Sequence, residues 1–326
     1  MKDVGKSGSN VRPVSGERKE AIRRIFLDAG ACAVGFARAE EVDGGVWDKF
    51  LKWLERGDNA GMAYMRNYPD LRRDPRLLME NTHTIMVLAF SYAPKEWRPV
   101  ESGMIAAYAY GKDYHKEIRK LLKNPLRQLE AEYTGLHSRT CIDSAPILEH
   151  YWASRAGVGF KGDNGTIIVP GYGNLVFLTE ILMDIEIEPD QPICGDCRHC
   201  GACRQACPGD AIGAHGEINC RRCISYLTIE HRGEWTEKDS LEVMKSPAGT
   251  SAIFGCDICL RVCPHNHNVP STSIAAFSAD EHVKVLSNEV ITAMDSDEEL
   301  NSFLTSSPIK RATLQGLKRN IASRQG

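Results

Sequence analysis

The cysteines of this chain are concentrated in one stretch. Ten of its twelve cysteines lie between Cys194 and Cys263. A first group is spaced C-x2-C-x2-C-x3-C and is followed by Pro208, and a second group is spaced C-x2-C-x3-C and is followed by Pro264. In such runs three thiolates bind one iron–sulfur cluster, and the fourth, directly before proline, binds another. The spacing therefore predicts two 4Fe–4S clusters that share ligands and lie close enough to exchange electrons.

Each predicted cluster takes its four ligands from both groups. The second group lacks a nearby first cysteine, and we assign Cys223 to that position. The predicted sets are Cys197, Cys200, Cys203 and Cys263 for one cluster, and Cys207, Cys223, Cys256 and Cys259 for the other. Cys194 and Cys220 are left over, and either can replace an assigned ligand.

Two other uses of the cysteines compete with this interpretation. A zinc ribbon needs two C-x2-C pairs about 15–20 residues apart, and the pairs that start at Cys200 and Cys220 meet that spacing. Zinc would leave the later group unused and gives no reason for the two Cys-Pro endings. Disulfides are typical of small secreted domains in an oxidising compartment. Neither condition is visible in the sequence.

Length and composition are those of an ordinary globular protein. The 326 residues are 42% hydrophobic and 25% charged, which is enough to bury a sizeable core and to form two domains. No apolar run approaches the length of a membrane span, and residues 1–20 lack the apolar core of a signal peptide. We therefore expect a cytoplasmic protein without a membrane partner. The net charge of −3 excludes a generally basic surface but allows a local basic face.

Apolar periodicity predicts an α+β (mixed α/β) fold in three parts. Residues 1–14 are expected to be disordered, 15–188 to form a sheet-and-helix domain, 189–270 a ferredoxin-like two-cluster domain, and 271–326 a helical tail. Predicted helices start near 15, 46, 113 and 146, and predicted strands cover 32–36, 84–92, 103–109, 137–142, 166–169 and 174–183. The strands are expected to form a mixed sheet with helices on its faces.

Several segments together resemble one family, the epoxyqueuosine reductases. They are CIDSAPILEHYWASRAGVGFKGDNG and its continuation to residue 182, CISYLTIEHRG (223–233), FGCDICLRVCPHN (254–266), GMAYMRNYPDLRRDPRLL (61–78) and YGKDYHK (110–116). The resemblance extends from about residue 18 to the end. It implies two 4Fe–4S clusters, a cobalamin in the N-terminal domain, and reduction of the epoxide of epoxyqueuosine, at the wobble position of a tRNA anticodon, to the alkene of queuosine. The epoxide oxygen leaves as water, so the reaction consumes two electrons and two protons.

The resemblance places the catalytic proton donor at Asp143. A free aspartate has a pKa of about 3.9, and burial beside an apolar macrocycle is expected to raise that pKa so that the carboxyl acts as a general acid. The alternative is a structural role, because Asp143 or Ser144 could cap the helix expected near Pro146.

The resemblance also assigns contacts to cobalamin and to tRNA. The implied cobalamin contacts are Arg72, Ala107, Asp143, Asn164, Thr166, Ile167, Leu178, Ser225 and Ile258. Many relatives have arginine in place of Ala107 and lysine in place of Asp163. His231 and Arg232 are expected to contact the anticodon loop. Lys310, Arg311, Lys318 and Arg319 either meet phosphates or form a solvated face, and Tyr108, Tyr110 and Tyr114 either line the cavity or belong to the core.

Two rival functions remain at this point. A reductive dehalogenase shares the cofactors, but such enzymes are commonly exported. A ferredoxin-like electron carrier needs only the cysteine-rich region and leaves about 190 preceding residues unexplained. The preferred function implies tRNA carrying epoxyqueuosine as partner, an external one-electron donor such as a flavodoxin or ferredoxin system, and a monomer.

Overall fold

The computed structural model describes residues 13–214 and 216–322. Its helices are α1 (Gly16–Asp28), α2 (Gly44–Glu55), α3 (Pro69–Arg73), α4 (Tyr114–Glu132), α5 (Glu149–Arg155), α6 (Ala202–Ala206), α7 (Ile224–Ile229), α8 (Lys238–Met244), α9 (Pro247–Ser251), α10 (Ile258–Arg261), α11 (Glu281–Val285), α12 (Asn288–Ala293), α13 (Asp297–Phe303) and α14 (Thr313–Ala322). Its strands are β1 (Ala33–Arg38), β2 (Thr84–Ser91), β3 (Met104–Ile105), β4 (Ser138–Cys141), β5 (Phe160–Lys161), β6 (Ile167–Ile168), β7 (Val176–Met183) and β8 (Ala252–Phe254). The mixed helix-and-sheet class is confirmed.

A four-stranded sheet in the order β1-β2-β7-β4 forms the centre of the molecule. All of its neighbouring strands are antiparallel, so the prediction of a mixed sheet is wrong. Every residue of β2 is buried because both faces of the sheet are covered. Phe26 of α1 and Leu122 of α4 pack on one face, and Trp47 of α2 and Trp152 of α5 pack on the other.

Three local predictions differ from the structure. The strand expected at 103–109 is only β3, followed by a 3-10 turn at Ala107–Ala109. The stretch at 166–169 forms a separate hairpin of β5 and β6, because β6 pairs with β5 and with no strand of the central sheet. Val14 forms a parallel bridge with Ile187, so the expected disorder does not reach that residue, while residues 1–12 lie outside the described part of the chain.

The largest hydrophobic core draws residues from all three predicted parts of the chain. Phe36, Phe254 and Leu317 all belong to it. The parallel pair β3–β8 adds a hydrogen-bonded link between the sheet-and-helix part and the cysteine-rich part. The proposed division into domains stays a prediction, but the parts share one continuous interior.

Among the described helices, none combines the length and the apolar composition that crossing a bilayer requires.

Candidate active site and cluster-binding site

The first predicted set of cysteines lines one small cavity. Cys203 lies on α6, which packs against α10, and Cys263 comes two residues after α10 ends. Cys197, Cys200, Cys203 and Cys263 face the cavity together with Asp163, Asn164, Ile168, Gly201 and Pro264. The structure thus brings a thiol of the second run to three thiols of the first.

The loop around this cavity is shaped for a bound group. Arg198, His199 and Gly201 have positive φ values of 61°, 47° and 74°, which turn the chain back on itself between successive cysteines. The backbone N–H of Asp163 donates to the Cys197 sulfur at 3.3 Å. Such N–H···S bonds are one means by which a protein tunes the reduction potential of an iron–sulfur cluster.

The second predicted set forms another group of neighbouring thiols. Burial raises the pKa of Cys256 to about 12, and the nearby thiols of Cys223 and Cys207 contribute to the increase. Burial, followed by Cys256, Cys223 and Cys207, also raises the pKa of Cys259 well above its ordinary value. Thiols whose ionisation burial disfavours become thiolates when a metal binds them. This group therefore fits a metal cluster.

Cys194 and Cys220, the two cysteines left out of the predicted ligand sets, differ in their exposure to solvent. Cys194 is exposed and does not line the first cavity. Cys220 is buried, close enough to Cys223 for the two thiols to interact electrostatically, and its sulfur is 3.9 Å from the Ile218 carbonyl. Neither lies among the four cysteines of the first cavity, and the assignment of all eight ligands remains a proposal.

Asp143 lies two residues after β4 and is surrounded by donors. The Tyr114 hydroxyl donates to its Oδ2, and His115 Nε2 lies 3.4 Å from the same oxygen. Tyr114 and His115 begin α4 and stack on each other, and Tyr114 also stacks on Phe177 of β7 at 4.3 Å. The stack fixes the two donors in front of the carboxylate. The Asp143 side chain keeps 57% of its surface exposed, so a substrate can reach it.

The protein groups around Asp143 lower its pKa, whereas the expected increase depends on an apolar macrocycle beside it. Burial raises its pKa, but hydrogen bonds from His115 and Tyr114 and the charge of Arg311 outweigh burial, and the net pKa is lowered. Asp143 does not cap a helix, because α5 begins only at Glu149 and its N-cap, Leu148, has no side-chain cap. Instead Asp143 has a positive φ of 55°, a strained conformation for a residue other than glycine.

Glu149 supports that strained residue from α5. The backbone N–H of Asp143 donates to Glu149 Oε1 at 2.9 Å. Burial and the charge of Asp143 raise the pKa of Glu149 to about 8. The next residue, His150, has surface open to solvent, yet desolvation by surrounding protein lowers its pKa to about 4. Asp143, Glu149 and His150 therefore form one group of titratable side chains between the end of β4 and the start of α5.

The predicted cobalamin contacts other than Asp143 fall into four places. Arg72 is buried, donates to the carbonyls of Asn67 and Tyr64, and is close enough to Glu149 for their charges to interact. Ser225 and Ile258 each lie within two residues of a cysteine of the second set. The Ala107 N–H donates to Asp257 at 2.5 Å, next to the same set.

The remaining predicted contacts lie toward the first cavity or in the core. Asn164 faces that cavity, and its Oδ1 accepts from the Thr166 hydroxyl at 2.8 Å. Ile167 and Leu178 pack in the core between the sheet and α5. The buried Nδ2 of Asn164 has no hydrogen-bond partner among the described residues. A donor left unpaired in this way fits a polar group of a bound cofactor.

The predicted tRNA contacts are partly engaged within the protein. His231 Nε2 lies 3.1 Å from the Glu234 carbonyl oxygen, and Arg232 donates to the carbonyls of Ile229 and Arg311. Arg311 pairs with Glu230 and remains half exposed. These residues form one surface patch in which the tail meets the segment after α7.

Arg319 does not belong to a phosphate-binding face. Its guanidinium donates to the carbonyls of Leu227, His231 and Gly233 and lies over the Trp235 ring at 4.7 Å. Only 8% of the residue is exposed. It therefore holds the tail to the segment after α7.

Sequence reasoning missed three polar residues around Asp143: His115, Glu149 and Glu180. His115 and Glu149 occur in stretches that resemble the family, but no spacing rule assigns them a role. Glu180 is fully buried in β7, opposite Cys141 of β4, and neither of its carboxylate oxygens has a hydrogen-bond partner among the described residues. Its position in the middle of the apolar run 174–183 could have identified Glu180 as a candidate site residue from the sequence, because a buried charge requires an explanation.

Comparisons with known proteins agree with this geometry. Residues 72–144 match the family model described as Epoxyqueuosine reductase QueG, DUF1730, and residues 196–266 match the model of a 4Fe-4S double cluster binding domain. The chain is 37% identical to an epoxyqueuosine reductase of Leadbetterella byssophila over 83% of this chain and 86% of the relative. It is 32% identical to one of Cellulophaga algicola over 93% and 95%, respectively.

Solved structures of epoxyqueuosine reductases are also similar to this chain. A crystal structure of epoxyqueuosine reductase with an epoxyqueuosine-modified tRNA-Tyr stem loop is similar at a TM-score of 0.84 and 25% identity, covering 94% of this chain and 80% of that one. The structure from Streptococcus thermophilus has a TM-score of 0.82 at 25% identity, with the same coverage. The identity and coverage of these relatives show that the chain belongs to the epoxyqueuosine reductases, a family of oxidoreductases.

Proposed function

We propose that this protein reduces epoxyqueuosine to queuosine in tRNA, with Asp143 delivering protons to the epoxide oxygen. The observation that carries the proposal is the solvent-accessible Asp143 carboxylate, which Tyr114 and His115 contact on the same oxygen. Membership of the family supports the reaction, and the two groups of four cysteines support the supply of electrons one at a time.

The proposed cluster ligands are the two sets of the sequence analysis. Cys197, Cys200, Cys203 and Cys263 bind one cluster, and Cys207, Cys223, Cys256 and Cys259 bind the other. The shared cavity supports the first set, and the mutual effects on thiol pKa values support the second. Since each set contains residues of both runs, the two clusters lie side by side.

Cobalamin is the proposed cofactor between the clusters and the substrate, and when bound it supplies the cobalt chemistry that breaks the carbon–oxygen bond. The residues that would hold it are Arg72, Ala107, Asp143, Asn164, Thr166, Ile167, Leu178, Ser225 and Ile258. The buried Asn164 amide, which has no partner among the described residues, would donate to a polar group at the edge of such a ligand. The role of the protein is to orient the cofactor, exclude water and hold the proton donors.

The proposed tRNA contacts are His231 and Arg232, at the patch that also contains Arg311. Phosphate contacts would position the anticodon loop, and single-stranded nucleotides would be splayed out toward Asp143. We further propose a monomer that takes electrons from a flavodoxin or ferredoxin system in the reducing cytoplasm, where thiolates that bind iron persist.

The test uses protein reconstituted anaerobically with iron and sulfide and then supplied with cobalamin. We expect two clusters per chain, corrin binding, and conversion of an epoxyqueuosine-containing tRNA stem loop to the queuosine form, measured by nucleoside mass spectrometry. A simple electron carrier would ignore cobalamin. A dehalogenase would bind cobalamin but leave the RNA unchanged, and either result would contradict the proposal.

A further inference from the structure

The hairpin of β5 and β6 carries its turn to the first cavity. Ile167 of β6 packs in the core, but neither strand belongs to the central sheet. The turn, residues 162–166, is closed by the Gly162 N–H, which donates to the Thr166 carbonyl at 2.8 Å. Asp163 and Asn164 of the turn face the cavity together with the first set of cysteines. The turn is therefore a second segment, beside the cysteine run, whose position affects a group bound in this cavity.

One side chain of the cysteine run is hydrogen-bonded to this turn. His199, which lies between Cys197 and Cys200, donates from Nδ1 to Asp163 Oδ1 at 2.8 Å. Its other ring nitrogen, Nε2, lies 3.3 Å from Asp196 Oδ1, so the ring is held on both sides. The Asp163 side chain is 9% exposed and that of His199 is 69% exposed. The pair therefore joins the hairpin turn to the cysteine run, with the carboxylate inside and the ring at the surface.

Asp163 acts on the Cys197 sulfur in two opposite ways. Its backbone N–H donates to that sulfur at 3.3 Å, and such a bond stabilises the electron that a cluster gains on reduction, which raises the reduction potential. The Asp163 carboxylate lies within 4.8 Å of the same sulfur, and its negative charge opposes the added electron. Because the carboxylate is buried, solvent ions screen it little. Backbone and side chain of one residue thus shift the potential in opposite directions.

We propose that the Asp163–His199 pair holds the Asp163 N–H on Cys197 and thereby sets the reduction potential of the first cluster. The inference deepens the proposed function and rests on its first ligand set, Cys197, Cys200, Cys203 and Cys263. Neither Asp163 nor His199 is a ligand of that set. His199 acts through Asp163, and Asp163 acts through the hydrogen bond and its charge, so both are positioning residues.

Two substitutions separate the hydrogen bond from the charge. His199→Ala removes the link, so the N–H···S bond should loosen and the potential of the first cluster should fall. Asp163→Asn keeps an oxygen that accepts from His199 but loses the negative charge, so the potential should rise. His199→Asn should restore the wild-type value, because the asparagine amide can donate in place of Nδ1 and asparagine tolerates the positive φ of this position.

The measurement is a redox titration followed by electron paramagnetic resonance. It uses the full chain, reconstituted anaerobically with iron and sulfide, without RNA or cobalamin. The first cluster is identified as the one that Cys263→Ala removes. If His199→Ala loses this cluster, Asp163→Asn and His199→Asn keep the hydrogen bond and still report its potential.

A matched control and a metal analysis complete the test. His267→Ala, an exposed histidine four residues after Cys263, should leave both potentials at the wild-type values. A wild-type potential in Asp163→Asn, or equal shifts of both clusters, overturns the inference. So does one zinc per chain that is missing in His199→Ala, because Asp163, Cys197 and His199 would then hold a single ion. If the potentials shift as expected and the wild type does not convert the RNA, the proposed reaction fails while the role of the pair stands.

Discussion

At the scale of single residues, Asp143 combines a strained backbone with an accessible carboxylate. We expect Asp143→Asn to lose roughly a hundred- to ten-thousand-fold in single-turnover rate, because an amide cannot pass a proton to the oxygen. The asparagine can still accept from Tyr114, so iron content and cobalamin binding should not change. Asp28→Asn, at an exposed position on α1, is the matched control. A variant rate close to wild type would remove Asp143 from the mechanism.

The position of Cys263 leads to a second prediction at the scale of single residues, which concerns the cluster that this cysteine binds. Cys263 belongs to the later run in sequence but lines the cavity of Cys197, Cys200 and Cys203. Cys263→Ala should therefore damage the cluster of the first run and spare the other, as measured by iron content and electron paramagnetic resonance after reduction. Cys194→Ala should keep both clusters. If Cys263→Ala disturbs only the cluster of Cys256 and Cys259, the crossed ligand sets are wrong.

At the scale of elements, the two cysteine-bearing segments meet at Gly209. A Cβ atom there would lie 1.9 Å from the Arg222 carbonyl oxygen, next to Cys223. Gly209→Ala should push the segment of Cys207 away from that of Cys223, at a cost of about 1–3 kcal/mol in the free energy of unfolding. We expect a lower iron content in the cluster that contains these two cysteines. Gly44→Ala, where a Cβ meets no atom within 4 Å, should have neither effect.

Strand β2 was predicted correctly from the sequence, whereas the length of β3 was not. The run at 84–92 is apolar on both faces, which is expected for a strand covered on both sides, and it forms β2. The segment 103–109 is equally apolar, but only two residues pair, in parallel with β8 about 150 residues later. Local periodicity carries no information about such a distant partner. It therefore predicted too long a strand.

The candidate site also combines features that the sequence pattern predicted with features that depend on residues distant in the chain. Cysteine spacing predicted the grouping of Cys197, Cys200, Cys203 and Cys263, and the structure places these four around one cavity. The ligand roles of all eight cysteines stay a prediction. The lowered pKa of Asp143 depends on Tyr114, His115 and Arg311, which come from α4 and from the tail. Their effect arises only when the chain folds. The sequence alone suggested burial beside a macrocycle as the main influence; burial is the largest single effect on the pKa of Asp143, but these three groups together outweigh it.

At the scale of the whole molecule, the interior contains a carboxyl that opposes stability at high pH. The pKa of Glu180 is raised well above that of a free glutamate, first by burial and then by Glu149. A raised folded-state pKa gives stability that is fully present below the unfolded value of about 4.3 and is lost as the pH rises toward the folded value. Each pH unit in that window costs up to about 1.4 kcal/mol.

Glu180→Gln should therefore flatten the pH dependence of stability. We expect the urea midpoint of the cluster-loaded wild type to fall between pH 5 and pH 8, and that of Glu180→Gln to fall less. Glu130→Gln, with its exposed side chain, should follow the wild type. Equal slopes for all three proteins would mean that Glu180 does not control this pH dependence.

The crossed ligand sets also bear on how the protein matures in the cell. In the proposed arrangement neither run of cysteines can complete a cluster by itself, because each needs thiols from the other. A ribosome that has made only the first run holds a chain with no finished metal-binding site. One proposed ligand set is complete only after Cys259 has been made and the other only after Cys263, so both sites become available for iron late in synthesis.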